Sequence, residues 1–452
     1  MEAEQIHRVY FIGAGGIGMA ALVRYFLRLG KPVAGYDRTP TPLTLALQQE
    51  GADLHFREAV EDIPSDFRNP ANTLVIYTPA VGAGHKELAY FREQGFTIKK
   101  RAEVLGILSA SGRCLAVAGT HGKTTTSCIL AHLLREAGHK ITAFLGGVSE
   151  DFESNFLMEG DEFTVVEADE FDRSFLWLRP EVACITSMDA DHLDIYGTGE
   201  ALVESFRDFA GKLRPGGTLL VRHGLNLPGL TYGIGEEGAT YSIRNLKVEG
   251  GCYHFDIVAP GQVFEGLRFC KPGHHNLLNG LAAFAMAIQV VPPSQRLADA
   301  LASFKGVQRR FTYRVNTENV VYIDDYAHHP AEIDAVCQAV REMHPGREIL
   351  AVFQPHLFSR TRDFGKEFAQ SLSRFDAVWL LDIYPAREQP LEGIDSHWLL
   401  EQIDNPRKKW ISGERLIEEI IRARPQVLLT LGAGDIGLQA GPIENALCHE
   451  IE

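Results

Sequence analysis

The sequence predicts an α/β protein assembled from successive strand and helix units. Three observations carry that prediction. The chain has 452 residues, about three times the ~150 of a typical domain, so two or three compact units are expected. Short unbroken apolar runs recur along it, as in strands buried on both faces of a parallel sheet. Two of these runs lead through glycine-rich turns into helical patterns, at residues 13–18 and 119–126.

In the first series, residues 1–106, Arg8–Ile12 is an apolar strand, residues 19–29 have helical spacing, and Val33–Tyr36 and Thr73–Tyr77 are further strands. Residues 87–94 read as a helix leading to extended 96–99. A second series, residues 107–305, opens with a strand at 114–118 that runs into Gly119-Thr120-His121-Gly122-Lys123 and a helix at 126–136. Apolar runs at 163–166 and 182–186 repeat the strand pattern. Between 240 and 269, Gly250-Gly251 and Pro260-Gly261 punctuate short alternating segments, the mark of a hairpin. A helix at 276–290 closes this series. The third, residues 306–452, has strands at 320–323, Ile349–Phe353, 377–381 and Val427–Leu431. Each ends in a polar or glycine-rich cluster, and ligands of open parallel sheets collect beyond such strand ends.

The formal net charge is -15, which disfavours nucleic acid and anionic lipid over most of the surface. Any phosphate must be met locally. Met1-Glu2-Ala3-Glu4 lacks the basic and apolar stretches of an export signal, so a cytoplasmic location is expected. Residues 276–295 are uncharged, but their Asn, Gln and Pro residues suit a buried helix better than a membrane span. Seven cysteines are scattered without a Cys-x-x-Cys pair, and reduced, mostly buried thiols are expected.

Gly13-Ala14-Gly15-Gly16-Ile17-Gly18 follows a strand, precedes a helix, and has Asp37 at the end of the next strand. Glycines let the backbone approach a diphosphate whose charge the helix start favours. The motif alone suits a dinucleotide such as NAD as well as another diphosphate. The second loop is more specific. Gly119, Thr120, His121, Gly122, Lys123, Thr124 and Thr125 set a lysine and hydroxyls at a helix start. There backbone N–H groups cradle phosphates, Lys123 reaches the terminal ones and Thr124 ligates Mg2+. It departs from the generic P-loop, with Val117 where that pattern has its first glycine. Hard oxygen ligands are supplied by Glu167-Ala168-Asp169-Glu170 and Asp189-Ala190-Asp191-His192, each after a strand.

With those motifs stand His274-His275-Asn276-Leu277-Leu278-Asn279, Arg309-Arg310-Phe311, Asp324-Asp325-Tyr326-Ala327-His328-His329-Pro330 and Ser359-Arg360-Thr361-Arg362-Asp363. In this order and over the whole chain, the set resembles the Mur ligases. The resemblance implies three domains: a Rossmann-like domain for a UDP-sugar at 1–106, a P-loop ATPase domain at 107–305, and a Rossmann-like domain at 306–452 that closes on ATP and amino acid. It implies ligation of L-alanine to the lactyl carboxylate of UDP-N-acetylmuramate through an acyl phosphate, in a monomer or homodimer. Gly13, Gly15, Gly16, Ile17, Gly18 and Asp37 then serve the UDP-sugar rather than NAD. Lys123 and Thr124 hold ATP and Mg2+, with Glu167 and His192 on the metal and Asn276, Asn279 and Arg310 on the nucleotide. His328 and Arg360 are implied to act on alanine and the reacting carboxylate, His328 as base or amine-orienting group. Two departures bear on this: Phe171 stands where the family more often has serine, and Leu357 where many members have arginine. Arg360 or Arg362 would supply the charge that Leu357 lacks. A Lys123→Ala variant is expected to fold and to form no ADP. A ligase for a peptide or another amino acid, and a NAD-dependent dehydrogenase, are the alternatives.

Overall fold

The computed structural model describes residues 6–82, 84–189, 193–386 and 388–449. They form two compact units. The first comprises Met1–Lys247, His254–Phe269 and Leu278–Lys305, and the second Val248–Tyr253, Cys270–Leu277 and Gly306–Glu452.

The first unit is built on two sheets. One holds β1 (Arg8–Ile12), β2 (Val33–Tyr36), β3 (Asp53–His55), β4 (Thr73–Tyr77) and β5 (Thr97–Lys100) in the order β3-β2-β1-β4-β5, parallel throughout. Its strands are buried on both faces, which is why they read as unbroken apolar runs. The helix Ile17–Arg28 leaves β1 through the first glycine loop. Its start is two residues earlier than spacing alone suggests, because Ile17 and Gly18 already lie in the first turn.

The other sheet contains β6 (Arg113–Ala118), β7 (Ile141–Ser149), β8 (Ser154–Met158), β9 (Phe163–Glu167), β10 (Val182–Ile185), β11 (Thr218–Arg222), β12 (Leu230–Ile234), β13 (Tyr241–Glu249), β14 (Cys252–Ala259) and β15 (Gln262–Phe269). Their order is β15-β14-β13-β12-β11-β10-β6-β9-β7-β8. At its centre β10, β6, β9 and β7 are parallel, so the loops after β6, β9 and β10 share one sheet edge. Gly250 and Gly251, between β13 and β14, both take left-handed φ, the backbone a two-residue hairpin turn demands. The uncharged stretch after 273 is the buried helix His274–Ala287, and no described helix is long and apolar enough to cross a membrane.

The second unit carries β16 (Thr312–Asn316), β17 (Val321–Asp325), β18 (Ile349–Phe353), β19 (Ala377–Leu380), β20 (Lys408–Trp410) and β21 (Val427–Leu431) in the order β16-β17-β21-β18-β19-β20. All pairs are parallel except β16 with β17. Apolar side chains cover both sheet faces, beneath the helix Pro330–Met343 on one and Ile436–His449 on the other. The cysteines depart from the expectation of free thiols. Cys252 and Cys270 are joined as a disulfide, because the turn at 250–251 and the end of β15 bring their Cα atoms to 4.1 Å. Cys114, Cys128, Cys184 and Cys337 are free and buried, and Cys448 is free and exposed.

Candidate active site

In the first unit the second glycine loop is fixed from below by the end of β10. Thr186 Oγ1 donates to the Ala118 and His121 carbonyls, and the Ser187 hydroxyl accepts from His121 N–H at 2.8 Å and pairs with the Thr120 hydroxyl at 2.8 Å. The approach is so close that a Cβ at Gly119 would lie 2.0 Å from Thr186 Oγ1, and φ there is +134°. Gly122, with φ +82°, also passes close to a side chain, that of Asn279, whose Oδ1 would meet a Cβ at 2.5 Å. Asn279, on the helix His274–Ala287, is therefore packed against the loop, while the Asn276 amide donates to the Pro272 carbonyl at 2.7 Å. The helix Lys123–Glu136 starts with no side-chain cap, leaving its first N–H groups for a phosphate.

Lys123 Nζ donates to the Gly119 carbonyl at 2.6 Å and to Glu170 at 2.8 Å. Burial opposes its charge, but Glu170, Glu167 and Asp169 together outweigh that and hold its pKa above the ordinary lysine value. Glu167 ends β9 with its carboxylate against Gly146, whose N–H it accepts at 3.0 Å and whose Cβ, were there one, would fall on it. The oxygen donors Thr124 and Glu167 suit Mg2+, which takes few protein ligands and keeps water and phosphate for the rest. His192, the other expected metal ligand, lies outside the described residues.

The first glycine loop lies in the same unit. Gly15 N–H donates to Asp37 Oδ2 at 2.6 Å, so one oxygen of Asp37 braces the loop, while Gly13 takes φ +85°. Gly16, Ile17 and Gly18 line a cleft of about 260 Å³ whose other walls include Arg101, Glu167, Asp169 and Phe171. The cleft thus spans from the first loop to the end of β9. Arg101 is its only cation among the described residues, donating to Asp169 at 3.0 Å, and its guanidinium sits where a Cβ on Gly18 would come within 2.7 Å. Sequence reasoning missed Arg101, because a lone arginine at the start of the helix Arg101–Ala110 carries no motif. Phe171, at the serine position, is part of the wall.

In the second unit the polar clusters after β17, β18, β19 and β21 do meet. His356 and Tyr384 form an isolated parallel bridge. The Gln354 amide donates to Asp435 at 2.6 Å and accepts from Ile436 N–H at 2.9 Å. Leu357 takes φ +69° and its N–H donates to the Tyr384 carbonyl, so this position begins the turn that aims the next helix, Phe358–Asp363. Of the two arginines there, Arg362 is exposed and bonded to Asp363, whereas Arg360 is buried and acts on His328. Arg360 is the one presented to the cluster.

His328 Nδ1 is 3.0 Å from the Tyr326 carbonyl and 3.4 Å from Glu332. Burial pushes its pKa down to about 4, against the pull of Glu332 and with help from Arg360. It is neutral at pH 7. So low a value suits an acceptor that orients an ammonium better than a base that removes its proton. Asp325, buried and pushed up to about 6, accepts the Phe311 and Ala327 N–H groups and pins the loop on which His328 sits. Arg310 packs over the Tyr326 ring and lies 3.9 Å from Glu332.

Three family models match in succession: "Mur ligase family, catalytic domain" over residues 8–113, "Mur ligase middle domain" over 117–287, and "Mur ligase, glutamate ligase domain" over 309–441. The chain is 54% identical over 451 residues, all of both chains, to the UDP-N-acetylmuramate--L-alanine ligase of Flavobacterium johnsoniae. Among solved structures it is similar to UDP-N-acetylmuramate-alanine ligase MurC of Thermotoga maritima, with TM-score 0.84, 25% identity, and 98% of this chain and 99% of that one covered. A murein peptide ligase of Psychrobacter arcticus matches with TM-score 0.71, 21% identity and 98% of each chain. That last likeness shows the fold alone.

Proposed function

The chain belongs to the Mur ligase family, and from that premise we propose that it joins L-alanine to the lactyl carboxylate of UDP-N-acetylmuramate with cleavage of ATP, a cytoplasmic step of peptidoglycan synthesis. The observation that carries the reading is the cleft running from the first glycine loop to Glu167 and Asp169, with Lys123 bonded to the neighbouring Glu170. The cleft thus joins a glycine loop of one sheet, suited to a sugar diphosphate, to the strand end of the other sheet that flanks the loop suited to a nucleoside triphosphate. A dehydrogenase would leave the second loop without work.

An amide cannot form from a carboxylate in water unless hydroxide is replaced by a better leaving group. Transfer of the γ-phosphoryl group to the lactyl carboxylate gives an acyl phosphate and ADP. The alanine amine then adds, and the tetrahedral species expels inorganic phosphate. Catalysis of such a transfer rests on positioning and on charge stabilisation. In this reading residues 1–106 hold the UDP-sugar, 107–305 the ATP and 306–452 the alanine. Gly13 to Gly18 and the start of the helix Ile17–Arg28 take the diphosphate, and Arg101 takes an anionic group of the sugar nucleotide. The bare helix start at Gly122 and Lys123 take the ATP phosphates. Thr124 and Glu167 would hold Mg2+, which neutralises phosphate charge when bound. Arg360 offers a planar fork to the alanine carboxylate, and neutral His328 accepts from its ammonium.

Mass spectrometry of the product made from ATP, UDP-N-acetylmuramate and an equimolar amino-acid mixture tests the reading. Only the alanyl sugar nucleotide is expected. A different aminoacyl product, or ADP release without any conjugate, overturns it.

A further inference from the structure

Lys123 has three N–H donors, and all are engaged within the protein: by the Gly119 carbonyl at 2.6 Å and the Thr120 carbonyl at 3.3 Å in its own loop, and by the Glu170 carboxylate at 2.8 Å after β9. No donor is left over for a phosphate. The lysine has to give up a partner before it serves a nucleotide, and the charged one is decisive. Glu170 is fully buried, and both its oxygens come within 2.8 Å of Nζ. A phosphate arriving beside it would set two anions on one largely buried cation, where like charges repel more strongly than in open water.

The segment bearing Glu170 is anchored on its backbone. The Tyr196 hydroxyl donates to the Glu170 carbonyl at 2.6 Å, and Arg173 N–H donates to the same oxygen at 2.9 Å. Asp172 and Arg173, which follow, both take left-handed φ near +53° without being glycine, a backbone that persists only where its surroundings enforce it. The neighbouring carboxylates have other work, since Asp169 binds Arg101 and Asp172 binds Lys100. Glu170 alone of these residues is directed at Lys123.

We propose that Glu170 is the resident counter-ion of Lys123, occupying in the nucleotide-free enzyme the electrostatic place of the ATP phosphates, and that its surrender of the lysine sets the affinity for ATP. Glu170 is thus a positioning residue, acting on nucleotide through Lys123. The inference rests on the reading that Lys123 meets the ATP phosphates.

The experiment is titration calorimetry of ATP with Mg2+ into the full-length protein, in wild type, Glu170→Gln, Glu170→Asp and Lys123→Ala. With the competing charge removed, Glu170→Gln should bind ATP roughly tenfold more tightly, within the 5–150-fold span of ordinary coupling between sites. Glu170→Asp, whose carboxylate is drawn back by one methylene, should tighten binding less, and it carries the test if the glutamine variant does not fold. A second readout separates this from a structural role. The nucleotide-free Glu170→Gln protein should melt below wild type, yet gain more on adding ATP than wild type does. Equal or weaker ATP affinity in the foldable variants, or an equal thermal gain, overturns the inference while leaving the ATP site standing. Unchanged ATP binding in Lys123→Ala would instead remove the site reading itself.

Discussion

Replacing Lys123 by alanine is the most direct perturbation of the nucleotide loop, and the structure changes what it should do. The sequence suggests that such a variant folds normally and fails only in chemistry. Glu170, however, is wholly buried and the lysine side chain is only 13% exposed. Loss of the lysine leaves the buried Glu170 carboxylate without its cation, in a neighbourhood where Glu167 and Asp169 had also acted on that lysine. Breaking a buried pair in this way costs about 3–5 kcal/mol. In a unit of this size each kcal/mol moves the melting temperature by about 2–4 °C, so Lys123→Ala should melt on the order of 10 °C below wild type. Removing both charges avoids the penalty. The double variant Lys123→Met with Glu170→Gln should recover most of the loss, since a buried pair replaced by neutral groups of similar volume is often close to neutral in stability. Neither variant should release ADP. Differential scanning calorimetry together with coupled ADP release decides it: a Lys123→Ala protein as stable as wild type, or a double variant no more stable than the single one, would refute the reasoning.

Arg101→Met should raise the KM for the UDP-sugar by roughly tenfold, the scale of one charge-assisted hydrogen bond, while the KM for ATP stays put; initial-rate kinetics with each substrate varied checks the split. Gly119→Ala sets a Cβ 2.0 Å from Thr186 Oγ1 at a φ of +134°, and should abolish ATP binding in calorimetry even where far-ultraviolet circular dichroism is unchanged. In the second unit, burial pushes His275 and His328 down to about 4 and Asp325 up to about 6. Between pH 4 and 6 the unfolded chain therefore binds two histidine protons that the native one lacks, and lacks one carboxyl proton that the native one holds. Stability should rise with pH there by about 1 kcal/mol per unit, and His328→Gln should flatten the slope. Denaturant titrations followed by tryptophan fluorescence measure it, with Trp379, Trp398 and Trp410 all in that unit; an unchanged slope in the variant counts against His328 being neutral in the folded state.

What the sequence discloses and what it hides follow from how local each signal is. β1, β2, β4, β18 and β21 are readable because strands buried on both faces must be apolar without interruption. The two glycine loops are readable because close backbone approach admits no Cβ, as Thr186 against Gly119 makes plain. Edge strands such as β3 and β20, three residues each, bury too little to leave a pattern. The pairing of Cys252 with Cys270 escapes because it depends on where a hairpin and a strand end come together, not on spacing in the chain. Arg101 and the counter-ion role of Glu170 are hidden for a related reason: each is defined by a partner 68 or 47 residues away. Composition shows that an acidic protein must meet phosphate locally, but not that its two key cations are already held by its own carboxylates. That pairing follows from the same burial that makes the site useful. A lysine kept largely from water is stabilised by an anion beside it, and the segment that leaves β9 at Glu167, the carboxylate proposed for the metal, supplies that anion three residues later.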